Sequence, residues 1–155
     1  MADPPDIALT AHPPGRQPVR AAPRPSPQDM ARLLRPVAAG DHHAFRTLYG
    51  VLGVELADHL RDRVADPADV GPLLAETLLE VWWLARFHEQ PGTDVRAWVR
   101  GIADRRLADR RRALPPATDR SPAEALAVRA VLDRCRDNEL RAVLDGTASA
   151  RWPRA

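Results

Sequence analysis

Phe45-Arg46-Thr47-Leu48-Tyr49-Gly50-Val51-Leu52-Gly53-Val54-Glu55-Leu56-Ala57-Asp58-His59-Leu60 decides the fold class of this chain. Phe45, Leu48, Tyr49, Leu52, Leu56 and Leu60 recur at three- and four-residue intervals, one face of a helix about five turns long. Gly50 and Gly53 within it each weaken the helix by roughly 1 kcal/mol relative to alanine. The same period continues upstream, where Met30, Leu33, Leu34 and Val37 share a face behind a Ser26 cap and Pro27 at the first helical position. Pro36 is expected to end or kink that helix, and Gly40-Asp41 reads as a stop followed by a new cap. Downstream, Asp66-Pro67 opens a third helix with Val70, Leu74, Leu78, Val81 and Ala85 on one side and Glu76, Glu80 and Trp83 on the other. Pro91-Gly92 breaks the chain, and Thr93 or Asp94 caps a fourth helix with Val95, Trp98, Val99 and Ile102 inward. Ser121-Pro122-Ala123-Glu124 has the form of a capping box. It predicts a modest helix to about Cys135 and a last short one from Asp137, with Leu140, Val143 and Leu144, stopped by Gly146. No stretch alternates as a strand does, so the fold class is all-α.

The length of 155 residues suits one domain. Eight of the sixteen prolines fall in residues 1–29, without helical or strand period, which predicts a disordered, partly extended tail. The helical core is assigned to 30–114, a linker to 115–120 and a further helical segment to 121–155. No apolar stretch approaches the ~20 residues of a membrane span, and no apolar secretory region follows the first methionine. The lone Cys135 has no internal disulfide partner, which points to a reducing compartment. A cytoplasmic location follows by elimination. No Cys/His array has zinc spacing, and the His42-His43 pair reads as part of a first helical turn; no metal or cofactor is expected. The carboxylates Glu76 and Glu80 lie at i, i+4, but no nucleophile, phosphate loop or third catalytic partner accompanies them. The chemistry is therefore expected to be binding, not catalysis.

All 23 basic residues are arginine, and the net charge is +2. Between 96 and 112 seven arginines stand against two aspartates, net +5, and the rest of the chain carries −3. Arg96, Arg100 and Arg111 fall roughly opposite the Val95–Ile102 stripe on a helical wheel, with Arg110 and Arg112 flanking them. Such a run is either a solvated helix face or a row of phosphate contacts.

Three motifs in order carry a family resemblance. Leu33-Leu34-Arg35-Pro36-Val37-Ala38-Ala39-Gly40-Asp41-His42-His43-Ala44-Phe45-Arg46-Thr47-Leu48-Tyr49 is the first. Ala68-Asp69 through Glu76-Thr77-Leu78-Leu79-Glu80-Val81-Trp82 is the second. Arg96-Ala97-Trp98-Val99-Arg100-Gly101-Ile102-Ala103, followed by Asp109-Arg110-Arg111-Arg112, is the third. Over about 85 residues they resemble region 2 of bacterial sigma factors, particularly the small extracytoplasmic-function group. The resemblance implies a compact helical bundle of region 2 type and a transcription initiation factor that associates with core RNA polymerase. Its third helix would dock on the β′ clamp through Asp69, Leu73, Glu76, Glu80 and Trp83. Its fourth would meet the promoter −10 element through Arg96, Arg100, Arg105, Arg110, Arg111 and Arg112. In the loop between them, Phe87 or His88 would stack on an unpaired base and Gln90 would read its edge. With four or five arginines on one strand, log K is expected to fall with log[salt] at a slope of roughly −3 to −4.

The chain departs from the family pattern twice. Gly71, Pro72 and Ala75 stand where the clamp helix usually has an acidic pair and a glutamine, a loss of about 0.5–1.5 kcal/mol per hydrogen bond. Residues 121–145 resemble only the first helices of region 4, and the nine residues after Gly146 are too few for a −35 recognition helix. Three readings remain open. The chain reads the −10 element alone, or a separate region-4-like chain supplies the −35 reader. Otherwise it is a sigma mimic, a protein-interaction module that binds an anti-sigma factor or the clamp without opening DNA.

Overall fold

The computed structural model describes residues 24–88, 94–112 and 122–148. Among them lie five α-helices and no strand: α1 (Pro27–Ala38), α2 (His42–Arg61), α3 (Val70–Leu84), α4 (Val95–Arg112) and α5 (Pro122–Asp145). Short 3-10 turns, Pro67–Asp69 and Ala85–Phe87, flank α3. The all-α class is as the periodicity predicts. No helix of the described residues is long and apolar enough to cross a membrane.

The helix starts follow local chemistry. The Ser26 hydroxyl accepts from the Asp29 amide at 3.2 Å, and the Asp29 carboxylate accepts from the Ser26 amide at 3.1 Å, closing a capping box. Hydrogen bonds from Ser26 hold the Asp29 carboxyl below its usual range. Asp41 caps α2 by accepting from the amides of His43 (2.8 Å) and Ala44 (3.0 Å). Gly40 reaches it through a left-handed φ of 86°, a conformation a side chain would disfavour. Of the two candidates for the α4 cap, Asp94 accepts from the amides of Arg96 and Ala97; Thr93 lies outside the described residues. So do residues 1–23 of the tail expected at 1–29, the 115–120 linker, and the Ser121 and Glu124 side chains of the expected capping box; the end of that tail, Pro27 to Asp29, is instead the first turn of α1, because Ser26 caps it. Helix α1 runs two residues past Pro36 before it ends.

Helix α3 is the central element, packed against α2, α4 and α5. Leu73, Ala75, Thr77, Leu78, Leu79, Val81 and Trp82 are buried on it, more than one stripe can hold. A helix covered by neighbours on several sides loses the two-faced pattern of a surface helix. Val70 and Leu74, expected inward, are only partly buried, and Leu73 takes the inward position. The Phe45 and Trp82 rings meet edge to face at 5.1 Å and centre the core. The Thr77 hydroxyl is buried and donates to the Leu73 carbonyl at 2.7 Å.

Two expectations for the chain after Arg112 are corrected. Pro122 to Asp145 is one continuous helix of 24 residues, where the sequence predicts two short ones. Asp137, with the look of a cap, instead sits inside it and pairs with Arg141 one turn on. The segment is also not separate from the core assigned to 30–114. Leu140 and Val143 join the same buried cluster, and the His42 Nδ1–H donates to the Val143 carbonyl at 2.6 Å.

Candidate interaction faces on helices α3 and α4

The helical wheel turns the arginines of α4 outward, yet each of the seven has a partner within the chain. Glu55, on α2, takes Arg96 Nε at 3.1 Å on one oxygen and Arg100 Nη2 at 2.7 Å on the other. Arg96 also donates to the Pro25 carbonyl at 3.0 Å. Glu80, on α3, receives Arg105 at 2.8 Å and Arg106 at 2.6 Å. Arg111 donates to the Arg63 carbonyl at 2.6 Å, and Arg112 lies 3.5 Å from Asp109 with both side chains exposed. A helical wheel of α4 cannot register acids that reach in from α2 and α3.

Arg110 is the exception in depth. Its side chain is only 11% exposed, and its guanidinium meets Glu76 at 3.1 Å, Asp133 at 2.8 Å and Asp69 at 3.4 Å. Burial works against its charge, but the hydrogen bond and charge of Asp133, with Asp69 and Glu76, outweigh that effect. The group is pushed above its ordinary value and stays cationic. Its Nε is buried without a partner. Expected on the DNA face, Arg110 is an internal tie between α3, α4 and α5.

The α3 residues expected on the clamp are engaged in the same way. Glu76 is 9% exposed and holds Arg136 of α5 at 2.6 Å besides Arg110. Asp69 pairs with Arg129 of α5. Leu73 is fully buried, so it packs the core and does not meet a partner. Trp83 is partly buried against the core. Ala75 is buried as well, so that position faces the bundle.

At the α3–α4 junction the aromatic pair divides. Phe87 is 70% exposed, with the Arg86 guanidinium 4.7 Å above its ring. His88 lies flat on Trp98, ring centres 4.0 Å apart and 10° from parallel. One face of its ring is already used, and Trp98, expected wholly inward, is only partly buried beside it. Gln90 lies outside the described residues. Burial pushes the His88 imidazole below its ordinary value of 6.5, and its Nε2 has no partner. A histidine kept neutral on folding contributes stability that is present above its unfolded value and lost as pH falls through 6.5 toward the folded one. The His88 ring resonances should therefore titrate below 6.5, and His88→Phe should flatten the decline in stability between about pH 7 and pH 5. A midpoint above 6.5 would contradict this placement.

Glu55, Arg106, Arg129, Asp133, Arg136 and His42 are not among the site residues that the sequence singles out. Only the row Arg129–Asp133–Arg136 carries a signal, an alternating-charge stripe at i, i+4, i+7. Among the described residues no group of three or more His, Cys, Asp or Glu side chains could hold a metal ion. No family model, curated protein or solved structure matches the chain.

Proposed function

We propose that this chain is a sigma-region-2-like binding protein, not an enzyme, that acts in the cytoplasm through protein contacts with the transcription machinery. Its partner is core RNA polymerase at the β′ clamp or an anti-sigma factor. The observation that carries this reading is that every arginine of α4 already meets a carboxylate or carbonyl of the same chain. Phosphate binding draws its free energy from uncompensated cations that release counterions, and with Glu55 and Glu80 each shared by two arginines, Arg110 and Arg112 on acids of their own and Arg111 on a carbonyl, this face keeps only about three of its positive charges. The order of motifs from Leu33 to Arg112 supports the sigma-like part of the reading.

One feature favours a second reading, in which the chain reads the promoter −10 element. Phe87 is exposed beside Arg86 at the junction where the resemblance puts base capture. If a base stacks there, Phe87→Ala lowers discrimination between −10-like and scrambled single strands by about 1–3 kcal/mol. Under the protein-contact reading, the purified chain retains core polymerase or an anti-sigma factor on a column at low salt, and Phe87→Ala leaves −10 discrimination unchanged. Retention of neither protein would remove this reading.

A further inference from the structure

The two halves of α5 are held by different forces. Towards its C-terminal end Leu140 and Val143 are buried, Leu144 and Ala148 pack against the core, and His42 holds the Val143 carbonyl. In the first half Leu126 is 65% exposed, and Val128, Val131 and Leu132 are about half exposed. The stretch from Arg129 to Arg136 is tied to the bundle by charge: Arg129 to Asp69, Asp133 to Arg110, and Arg136 to Glu76.

We infer that the front of α5, up to Arg136, is a releasable cover over the Asp69–Glu76 row of α3, and that the partner replacing it is a helix with two cationic side chains seven residues apart and an acidic one between them. This rests on the reading of α3 as the partner-binding face. Charge sets the fit. Asp69, Glu76 and Arg110 together carry −1, while Arg129, Asp133 and Arg136 carry +1, so the six groups close to neutrality. An acidic or uncharged helix in that place would leave the two carboxylates under-compensated. A helix that repeats the Arg-x3-Asp-x2-Arg spacing restores the closure.

Release needs no unfolding of the core. The front carries four exposed large apolar side chains and no glycine or proline after Pro122, so it leaves by fraying from its N-terminal end. An unsupported helical stretch of about fifteen residues is marginal in water. Salt, which shortens the screening length from about 10 Å at 0.1 M to 3 Å at 1 M, acts mainly on the part-exposed Arg129 and Arg136 ends of its ionic ties and less on the buried Arg110 end. The apolar ties at Leu140 and Val143 do not weaken in this way.

Amide exchange on the full chain tests the cover directly. Between about 0.05 and 1 M NaCl, amides of 123–135 should exchange at least roughly tenfold faster while those of 138–145 keep their rates. An equal response along all of α5 would overturn the cover. Binding to core RNA polymerase tests the partner: Arg129→Ala with Arg136→Ala should bind at least roughly tenfold more tightly than the unaltered chain. Equal affinity would overturn the cover as a gate and leave the α3 reading standing. Absence of binding by both chains would overturn the α3 reading and with it the partner, while the exchange result still decides whether the cover opens.

Discussion

Trp82→Ala is expected to destabilise the bundle by about 4 kcal/mol, within the range for removing a buried aromatic ring from a packed core. Trp82 is 6% exposed and meets Phe45 edge to face. On its other flank lies the His42 ring, 4.8 Å away, and His42 in turn binds the carbonyl of Val143. The cavity would therefore open where α2, α3 and α5 converge, and no single side chain can fill it without moving a helix. Urea unfolding of the variant should show a lower midpoint. Trp82→Phe keeps much of the volume and should cost less. A loss under about 1 kcal/mol for the alanine variant would mean that α5 does not share this core.

The second large effect belongs to Arg110. Removing one partner of a buried ionic cluster strands its counter-charges and typically costs about 3–5 kcal/mol. For Arg110→Ala the lower end of about 3 kcal/mol is expected, because Arg136 still reaches Glu76 and Arg129 still reaches Asp69. Asp133 loses its bidentate partner. Among the described residues it keeps Arg136, at 3.8 Å. Arg112→Ala, at the exposed end of the same helix, should change stability by less than about 0.5 kcal/mol. Thermal or urea unfolding of the two variants side by side measures the contrast. Equal, small losses would place Arg110 in solvent, where the helical wheel puts it.

What can be read from the sequence is local. Ser26, Gly40, Asp41, Asp94 and Gly146 act on amides and carbonyls within a few residues, so their chemistry announces itself at short range. The apolar face of α2 is legible because that helix is covered mainly along one stripe. On α3 the same method fails: three neighbouring helices bury it on several sides, and the wheel exchanges Leu73 for Leu74. The charge pairs are invisible for a different reason. Arg110 and Glu76 are 34 residues apart, and Arg100 and Glu55 are 45 apart. No short window of sequence contains both members, yet those pairs decide whether an arginine faces solvent. The long α5 divides at Asp137 in a sequence reading because a helix-interior aspartate and a cap look alike until Arg141 is placed beside it.

The salt dependence of DNA binding tests most directly the claim that α4's arginines are spent within the chain. Affinity for forked and single-stranded DNA with a −10-like sequence would be measured between about 0.05 and 0.3 M NaCl. With Glu55 and Glu80 each shared by two arginines, Arg110 and Arg112 on acids of their own and Arg111 on the Arg63 carbonyl, the slope of log K against log[salt] should be no steeper than about −2, the value for about three uncompensated charges on a single strand. A slope of about −3 or steeper, reduced by roughly one unit in Arg100→Ala, would contradict the account and return α4 to the promoter.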